Sequence, residues 1–302
     1  MPFAAGHGSA ASGAKREPVD DKRTSEEVDM NDKDAYVLGY RQAEQQRLQA
    51  QAQDLAAESA WLFDRIGIAP GDHVVEIGCG PQGCLGLLAE RVGSGGKVVG
   101  IERNEEAVRM ARAWVRDQGL GNVEVVCIDA RASALPASAF DVVTSRLVLV
   151  NVGEPAQIVA EAVALARPGG VVAFHEADYV SHVCDPPCDA WTRLVDLLAA
   201  YSKANGIDPF IGRTLPRLLR DAGLCDVQVR PLIHVYPPGH GRRSILLDFA
   251  ENLSGRLVGA ALVDEAELSR LKASLRAHLD DPGTLVVSHL FFQAWGRKAP
   301  QP

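Results

Sequence analysis

From residue 74 onward the apolar positions follow two alternating rhythms. Short runs rich in β-branched residues (74–77, 97–101, 123–128, 140–145 and 171–175) alternate with longer stretches at helical spacing (104–118 and 154–166). Runs this short and apolar on both faces predict buried parallel strands, and the intervening helices predict an α/β fold with helices on both faces of the sheet. Arg167-Pro168-Gly169-Gly170 predicts a helix stop and a turn before the strand that follows.

The rhythm is absent at either side of this core. Residues 1–30 are rich in Gly, Ala, Ser and charge with no apolar period, so they read as a disordered extension. Residues 31–70 shift to Ala, Gln, Leu and Arg and predict one or two helices. The core proper is expected over 71–177, with 178–302 completing the sheet. Within that last part, helices are expected near 191–203 and 214–222, a strand at 227–236, further helices over 243–280, and a final strand at 284–297. The segments at about 178–211 and 243–280 interrupt the core pattern and are expected to form helical cap insertions. Their Leu, Ala and aromatic content suits a lid over an apolar acceptor, and equally the interface of a homodimer.

Composition narrows the functional classes. Hydrophobic residues make up 47 % and charged residues 23 % of the 302, as in ordinary globular proteins, and the net charge of -8 disfavours nucleic acid as a partner. No apolar run approaches the roughly 20 residues that span a bilayer, and the N-terminus lacks the apolar core of a signal peptide. Six scattered Cys in a chain of this size suit free thiols in a reducing compartment. A cytoplasmic protein without membrane attachment is the expectation.

The chemistry concentrates in Val74-Val75-Glu76-Ile77-Gly78-Cys79-Gly80-Pro81-Gln82-Gly83, a strand running into a glycine turn and then a helix near Cys84. Such a turn lets a ligand lie on bare backbone at a helix N-terminus. Its spacing also fits the dinucleotide fingerprint, with Glu102 as the acid closing the next strand, so a nicotinamide-dependent oxidoreductase is one reading. Against it, Glu76 sits two residues before the first glycine, where a carboxylate would repel a pyrophosphate and welcome an ammonium group. Glu102 and Asp129 end the second and third strands, the edge at which open α/β sheets bind ligands. Their carboxylates are placed to accept hydrogen bonds from ribose hydroxyls and an adenine amino group.

With VVEIGCGPQG, VVGIER, CIDAR, FDVVTSRLVL and ARPGGVV in this order and spacing, residues 72–177 resemble the class I S-adenosylmethionine-dependent methyltransferases, in particular their small-molecule branch. The resemblance implies a Rossmann-like, seven-stranded, mostly parallel sheet, S-adenosylmethionine as cofactor with S-adenosylhomocysteine as product, and a small-molecule acceptor methylated at O, N, S or C. It implies that Glu76, Gly78 and Gly80 hold the methionine part, Glu102 the ribose, and Arg103, Asp129 and Ala130 the adenine, with Arg146 and Leu147 beside the sulfur. Gln82 departs from the glycine common there. An N-terminal segment with Tyr36, Tyr40 and Arg47 is similar to a helix that lies over the cofactor in some relatives. A protein that keeps this fold for binding alone is a further reading.

Direct transfer needs no covalent nucleophile, only alignment and, for an acidic acceptor, a base. Candidate bases near the strand ends and cap are His175, Asp178, Tyr179, His182 and His234. His182, Cys184 and Cys188 have the residue types of a zinc site, but a fourth ligand is missing nearby, and no metal is expected.

Overall fold

The computed structural model describes residues 42–179 and 181–300. Helices α1 (Gln42–Asp54) and α2 (Ala56–Ile66) lead into β1 (His73–Ile77), α3 (Leu85–Val92), β2 (Lys97–Glu102), α4 (Glu105–Asp117), β3 (Val123–Cys127), β4 (Phe140–Arg146), α5 (Pro155–Leu165) and β5 (Ala166–Asp178). There follow β6 (Val183–Asp185), α6 (Asp189–Ala204), α7 (Ile211–Asp221), β7 (Leu224–Leu232), α8 (Ile245–Asn252), α9 (Ser254–Gly259), α10 (Glu265–Asp280), β8 (Leu285–Val287) and β9 (Leu290–Lys298). The helix boundaries have local causes: the Asn104 side chain accepts the Ala107 N–H at 2.8 Å to start α4, and Gly67 ends α2 in the left-handed region.

The main sheet has the order β3-β2-β1-β4-β5-β9-β7, and β9 runs antiparallel to both of its neighbours. Nicotinamide dinucleotide folds order six parallel strands 3-2-1-4-5-6, so the reversed β9 sets this sheet apart from them. Apolar side chains alternate to both faces. Val75, Ile77, Val143 and Phe174 pack against Ile158, Leu165, Leu215 and Leu219 of α5 and α7. Val74, Val98 and Val142 pack against Leu62, Phe63, Leu85, Leu88 and Val108 of α2, α3 and α4. A separate core joins Trp191, Leu194 and Leu197 of α6 to Leu246, Phe249, Leu268 and Leu275 of α8 and α10.

Two expectations need correction. The final strand is not continuous over 284–297. Residues 285–287 pair with β6 in a two-stranded ladder, while β9 begins at Leu290 in the main sheet. Ser288 sits at the break because its N–H donates to the His234 carbonyl at 2.8 Å and its Oγ accepts the His234 N–H at 3.0 Å. Nor do residues 166–170 form a turn outside the sheet. Pairing starts at Ala166, a register shift between Phe140 and Val142 absorbs the irregular segment, and Gly169 takes φ +77°.

Candidate functional site

The C-terminal ends of β1, β2, β4 and β5 lie side by side, and the turns that follow them build the site. Gly78 has φ +66° and Gly80 φ +54°. A Cβ on Gly78 would overlap the Val148 side chain, whereas one on Gly80 would meet nothing within 4 Å. The first glycine therefore lets the turn pack against the segment after β4, and the second borders open space. Glu102 spans this space at the tip of β2: one oxygen accepts the Gly80 N–H at 3.2 Å and the other the Asn104 N–H at 2.9 Å.

Glu76 is placed differently from its neighbour. It is buried, and its two oxygens accept the Cys84 N–H at 2.7 and 3.0 Å, bracing the glycine turn against the start of α3. Burial pushes its carboxyl up to about 7, against the opposing pull of Arg146 and of the Cys84 N–H. The expectation that three acids face one ligand thus divides: Glu102 and Asp129 are partly exposed at the strand tips, while Glu76 points into the protein. Asp129 pairs with Arg131 at 2.7 Å, which holds its carboxyl below the usual range. Arg103 lies beside it, its carbonyl accepting the Cys127 thiol at 3.6 Å, and Ala130 packs at the margin of the core.

The segment after β4 is held from below. Leu147 takes φ +57°, unusual for a branched side chain, and its N–H donates to the His175 carbonyl at 2.8 Å. The next three N–H groups, of Val148, Leu149 and Val150, donate to the Glu176 carboxylate at 3.0, 2.9 and 3.2 Å. Glu176 is fully buried, and burial pushes its carboxyl up to about 7 although those N–H groups favour the anion. Glu176→Gln at pH 8 keeps an acceptor for Val148 and Leu149 but turns an amide donor toward the Val150 N–H. It should cost about 1–3 kcal/mol in urea denaturation, the price of one buried unsatisfied donor. Sequence reading missed Glu176, although an acid inside an apolar strand was a signal.

A polar row crosses the sheet beneath α2. Arg146, His175, Gln293 and Arg230 are consecutive cross-strand partners on β4, β5, β9 and β7. Arg146 donates to Ser59 Oγ at 2.9 Å, Gln293 donates to the Glu58 carbonyl at 2.8 Å, and the Arg230 guanidinium lies 3.7 Å from the Trp61 ring centre. His175 is buried with neither ring nitrogen hydrogen-bonded among the described residues, and burial with the nearby Arg146 cation lowers it to about 3. Its ring meets Phe291 edge-on, as do those of His234 and, at a tilt, His289. His289 also escaped sequence reading, as a lone histidine in an apolar run.

The remaining candidates lie as follows. Asp178 is buried and paired with Arg213, which ties the end of β5 to α7. His234 Nε2 is 3.4 Å from Glu58 Oε1. His182 Nε2 lies 3.2 Å from His289 Nδ1. Cys184 Sγ lies 3.3 Å from His278, and among the described residues no three His, Cys, Asp or Glu converge as metal ligands. The Arg47 guanidinium is 5.8 Å from the Phe249 ring centre of α8. Tyr36 and Tyr40 lie outside the described residues.

Between the sheet edge and the α6–α8 cap runs a narrow, largely apolar cleft. Val150 and Asn151 line it from the turn after β4, Tyr179 and His182 from the segment after β5, and Leu198 and Phe249 from the cap. The glycine turn and the cleft therefore share the segment 147–151 as a common wall.

A methyltransferase-domain family model matches residues 68–205. An uncharacterized 37.1 kDa protein in a transposon of Streptomyces fradiae is 35 % identical over 190 residues, 61 % of this chain and 52 % of that protein. The nocamycin O-methyltransferase of Saccharothrix syringae is 38 % identical over 109 residues, 36 % of this chain and 39 % of that enzyme. The chain thus spans about half or less of the length of these relatives. In fold it is similar to a Haemonchus contortus phosphoethanolamine N-methyltransferase solved with phosphomonomethylethanolamine and S-adenosylhomocysteine, at a TM-score of 0.51 and 16 % identity, over 81 % of this chain and 53 % of that one. Among the described residues no helix is long and apolar enough to cross a membrane.

Proposed function

We propose that this chain, whose residues 68–205 match a methyltransferase-domain family model, is a class I S-adenosylmethionine-dependent methyltransferase that passes the methyl group of S-adenosylmethionine to a small molecule held in the cleft under its cap. The observation that carries the reading is the Glu102 carboxylate at the tip of β2, facing the open space beside Gly80, with segment 147–151 running from that turn to the cleft. A carboxylate at that point fits ribose hydroxyls.

On this reading Glu102 holds the ribose and the backbone at Gly78 and Gly80 holds the methionine part. Arg103, Asp129 and Ala130 border the adenine, and Arg146 and Leu147 border the sulfur. Glu76 works through Cys84 as the brace of the turn. When bound, the cofactor supplies a methyl group already electrophilic through its sulfonium. The chain's own task is to align the acceptor and exclude water, which the rigid wall 147–151 and the apolar cap residues Leu198 and Phe249 serve. The described geometry places Arg47 against Phe249 and so supports a role for the N-terminal helices in closing the cleft.

Calorimetry tests this directly. S-adenosylhomocysteine should bind and NAD and NADP should not; the reverse pattern would end the reading. Glu102→Ala should weaken S-adenosylhomocysteine by about 1.5–3 kcal/mol, the range for removing a hydrogen bond to a charged group, and an unchanged Kd would remove the ribose assignment. Labelled methyl transfer to any acceptor separates an enzyme from a protein that only binds the cofactor.

A further inference from the structure

We propose that Glu176 is a positioning residue for the bound cofactor: its carboxylate, by holding Val148, Leu149 and Val150, sets the glycine turn and the cleft wall relative to each other, and the cofactor binds the form in which all three are held. This deepens the reading above and rests on it.

Three successive N–H groups on one buried carboxylate, at 3.0, 2.9 and 3.2 Å, form an anion site that the chain fills itself. Leu147, just before them, is kept at φ +57° with its N–H on the His175 carbonyl. Two adjacent residues of β5 thus hold four consecutive N–H groups of the segment. From there one contact leads to each proposed ligand. Val148 is the side chain that a Cβ on Gly78 would overlap, so the turn assigned to the methionine part rests on a residue whose N–H Glu176 holds. Val150, the third of those N–H groups, lines the cleft together with Asn151. Movement at Glu176 therefore shifts the walls of both sites, and alignment of two reactants tolerates little such movement.

The charge on Glu176 decides how firmly the segment is held. Val148 and Leu149 share Oε1, while Val150 donates to Oε2. As an anion the group accepts all three as charge-assisted bonds, and a proton on Oε2 weakens the bond to Val150. Burial pushes the carboxyl up to about 7 against the pull of the three N–H groups, so both forms are populated near neutrality. None of the charges on the elements around it acts on Glu176. Asp178 of β5 is paired with Arg213 of α7, and Arg217, Arg220 and Asp221 of α7 are exposed. Glu161 of α5 accepts the Ser133 N–H, β9 places Phe292 opposite Glu176, and Arg146 and His175 belong to the row on the other face of the sheet. A cofactor that needs Val148 in place selects the ionised form.

The test is calorimetry of S-adenosylhomocysteine with the full chain at pH 6, 7 and 8. The ionised fraction of a group near 7 falls from about nine-tenths at pH 8 to about one-tenth at pH 6, so the Kd should weaken about tenfold over that range. At pH 7 binding should release about half a proton, read from titrations in two buffers of different ionisation enthalpy. Glu176→Gln keeps the Oε1 acceptor without the charge; it should bind at pH 8 as weakly as the wild type does at pH 6, with little pH dependence. Glu76 also lies near 7, and this variant separates the two carboxyls. Val148→Ala leaves every backbone bond to Glu176 in place and removes the contact with Gly78. It should at least halve the pH dependence, which a carboxylate needed for folding alone would not do. A flat wild-type profile, or a pH dependence of which either variant keeps more than half, overturns the proposal. If wild-type protein does not bind S-adenosylhomocysteine at any of these pH values, the cofactor reading itself has failed, and the proposal with it.

Discussion

Gly78→Ala is expected to lower stability by about 2–4 kcal/mol and to weaken S-adenosylhomocysteine at least about 100-fold, because it combines left-handed backbone strain with overpacking. The new Cβ would overlap Val148, whose own N–H is held by buried Glu176, so Val148 cannot retreat without breaking that network. Gly80→Ala makes the informative contrast. It carries similar backbone strain at φ +54°, yet its Cβ meets nothing within 4 Å. It should cost about 1 kcal/mol of stability and still weaken the ligand, since the space it enters is the space proposed for the cofactor. Urea denaturation and calorimetry on both variants check this. Adding Val148→Ala to Gly78→Ala should recover stability beyond the sum of the single changes. Equal losses for the two glycines in both measurements would mean that the open space beside Gly80 is not the cofactor's place.

That contrast shows what could be read from the residues alone. Short β-branched runs mark the first five strands, and in β1, β2, β4 and β5 burial on both faces leaves only one pattern for them. The glycine turn was legible because a strand ending in Glu-Ile-Gly-Cys-Gly has few other uses. Which way Glu76 faces was not legible: the Cys84 N–H that captures it lies eight residues away and is free only because α3 begins there. The break at Ser288 is likewise tertiary, since β8 pairs with a segment about a hundred residues earlier and leaves the main sheet to do so. The pairing of His182 with His289 also depends on long-range folding. Each ring by itself reads as an ordinary histidine in an apolar context, and only the 3.2 Å approach across 107 residues gives the two a shared chemistry.

The pH dependence of stability should show two limbs, and the buried groups fix their signs. His175, lowered to about 3, His182, lowered to about 4, and His289, held well below the ordinary histidine range, stay neutral in the folded chain after their unfolded counterparts have taken up protons. Each contributes stability that is present above the ordinary histidine value of about 6.5 and is lost as the pH falls toward its folded value. Glu76 and Glu176 act in the opposite sense. Raised to about 7, they hold protons in the folded chain that the unfolded chain releases above about 4.5, so their contribution is full below that pH and disappears as the pH rises through 7. Asp248, raised by burial, works in the same direction as the glutamates. Between about 6.5 and 4.5, acidification therefore loses on three groups and gains on two or more, a net slope of at most about 1.4 kcal/mol per pH unit. Below about 4.5 both glutamates are protonated in either state and the histidines act unopposed, at about 4 kcal/mol per pH unit until His182 itself titrates. Asp129 and Asp141, both held below the usual range, add to the loss at the acid end. Urea denaturation in half-unit steps from pH 7 to 4 should give a shallow limb and then a limb about three times steeper, and His175→Phe should reduce the steep limb by about a third. A single slope beginning at pH 6.5 would show that the two buried glutamates are ionised in the folded protein.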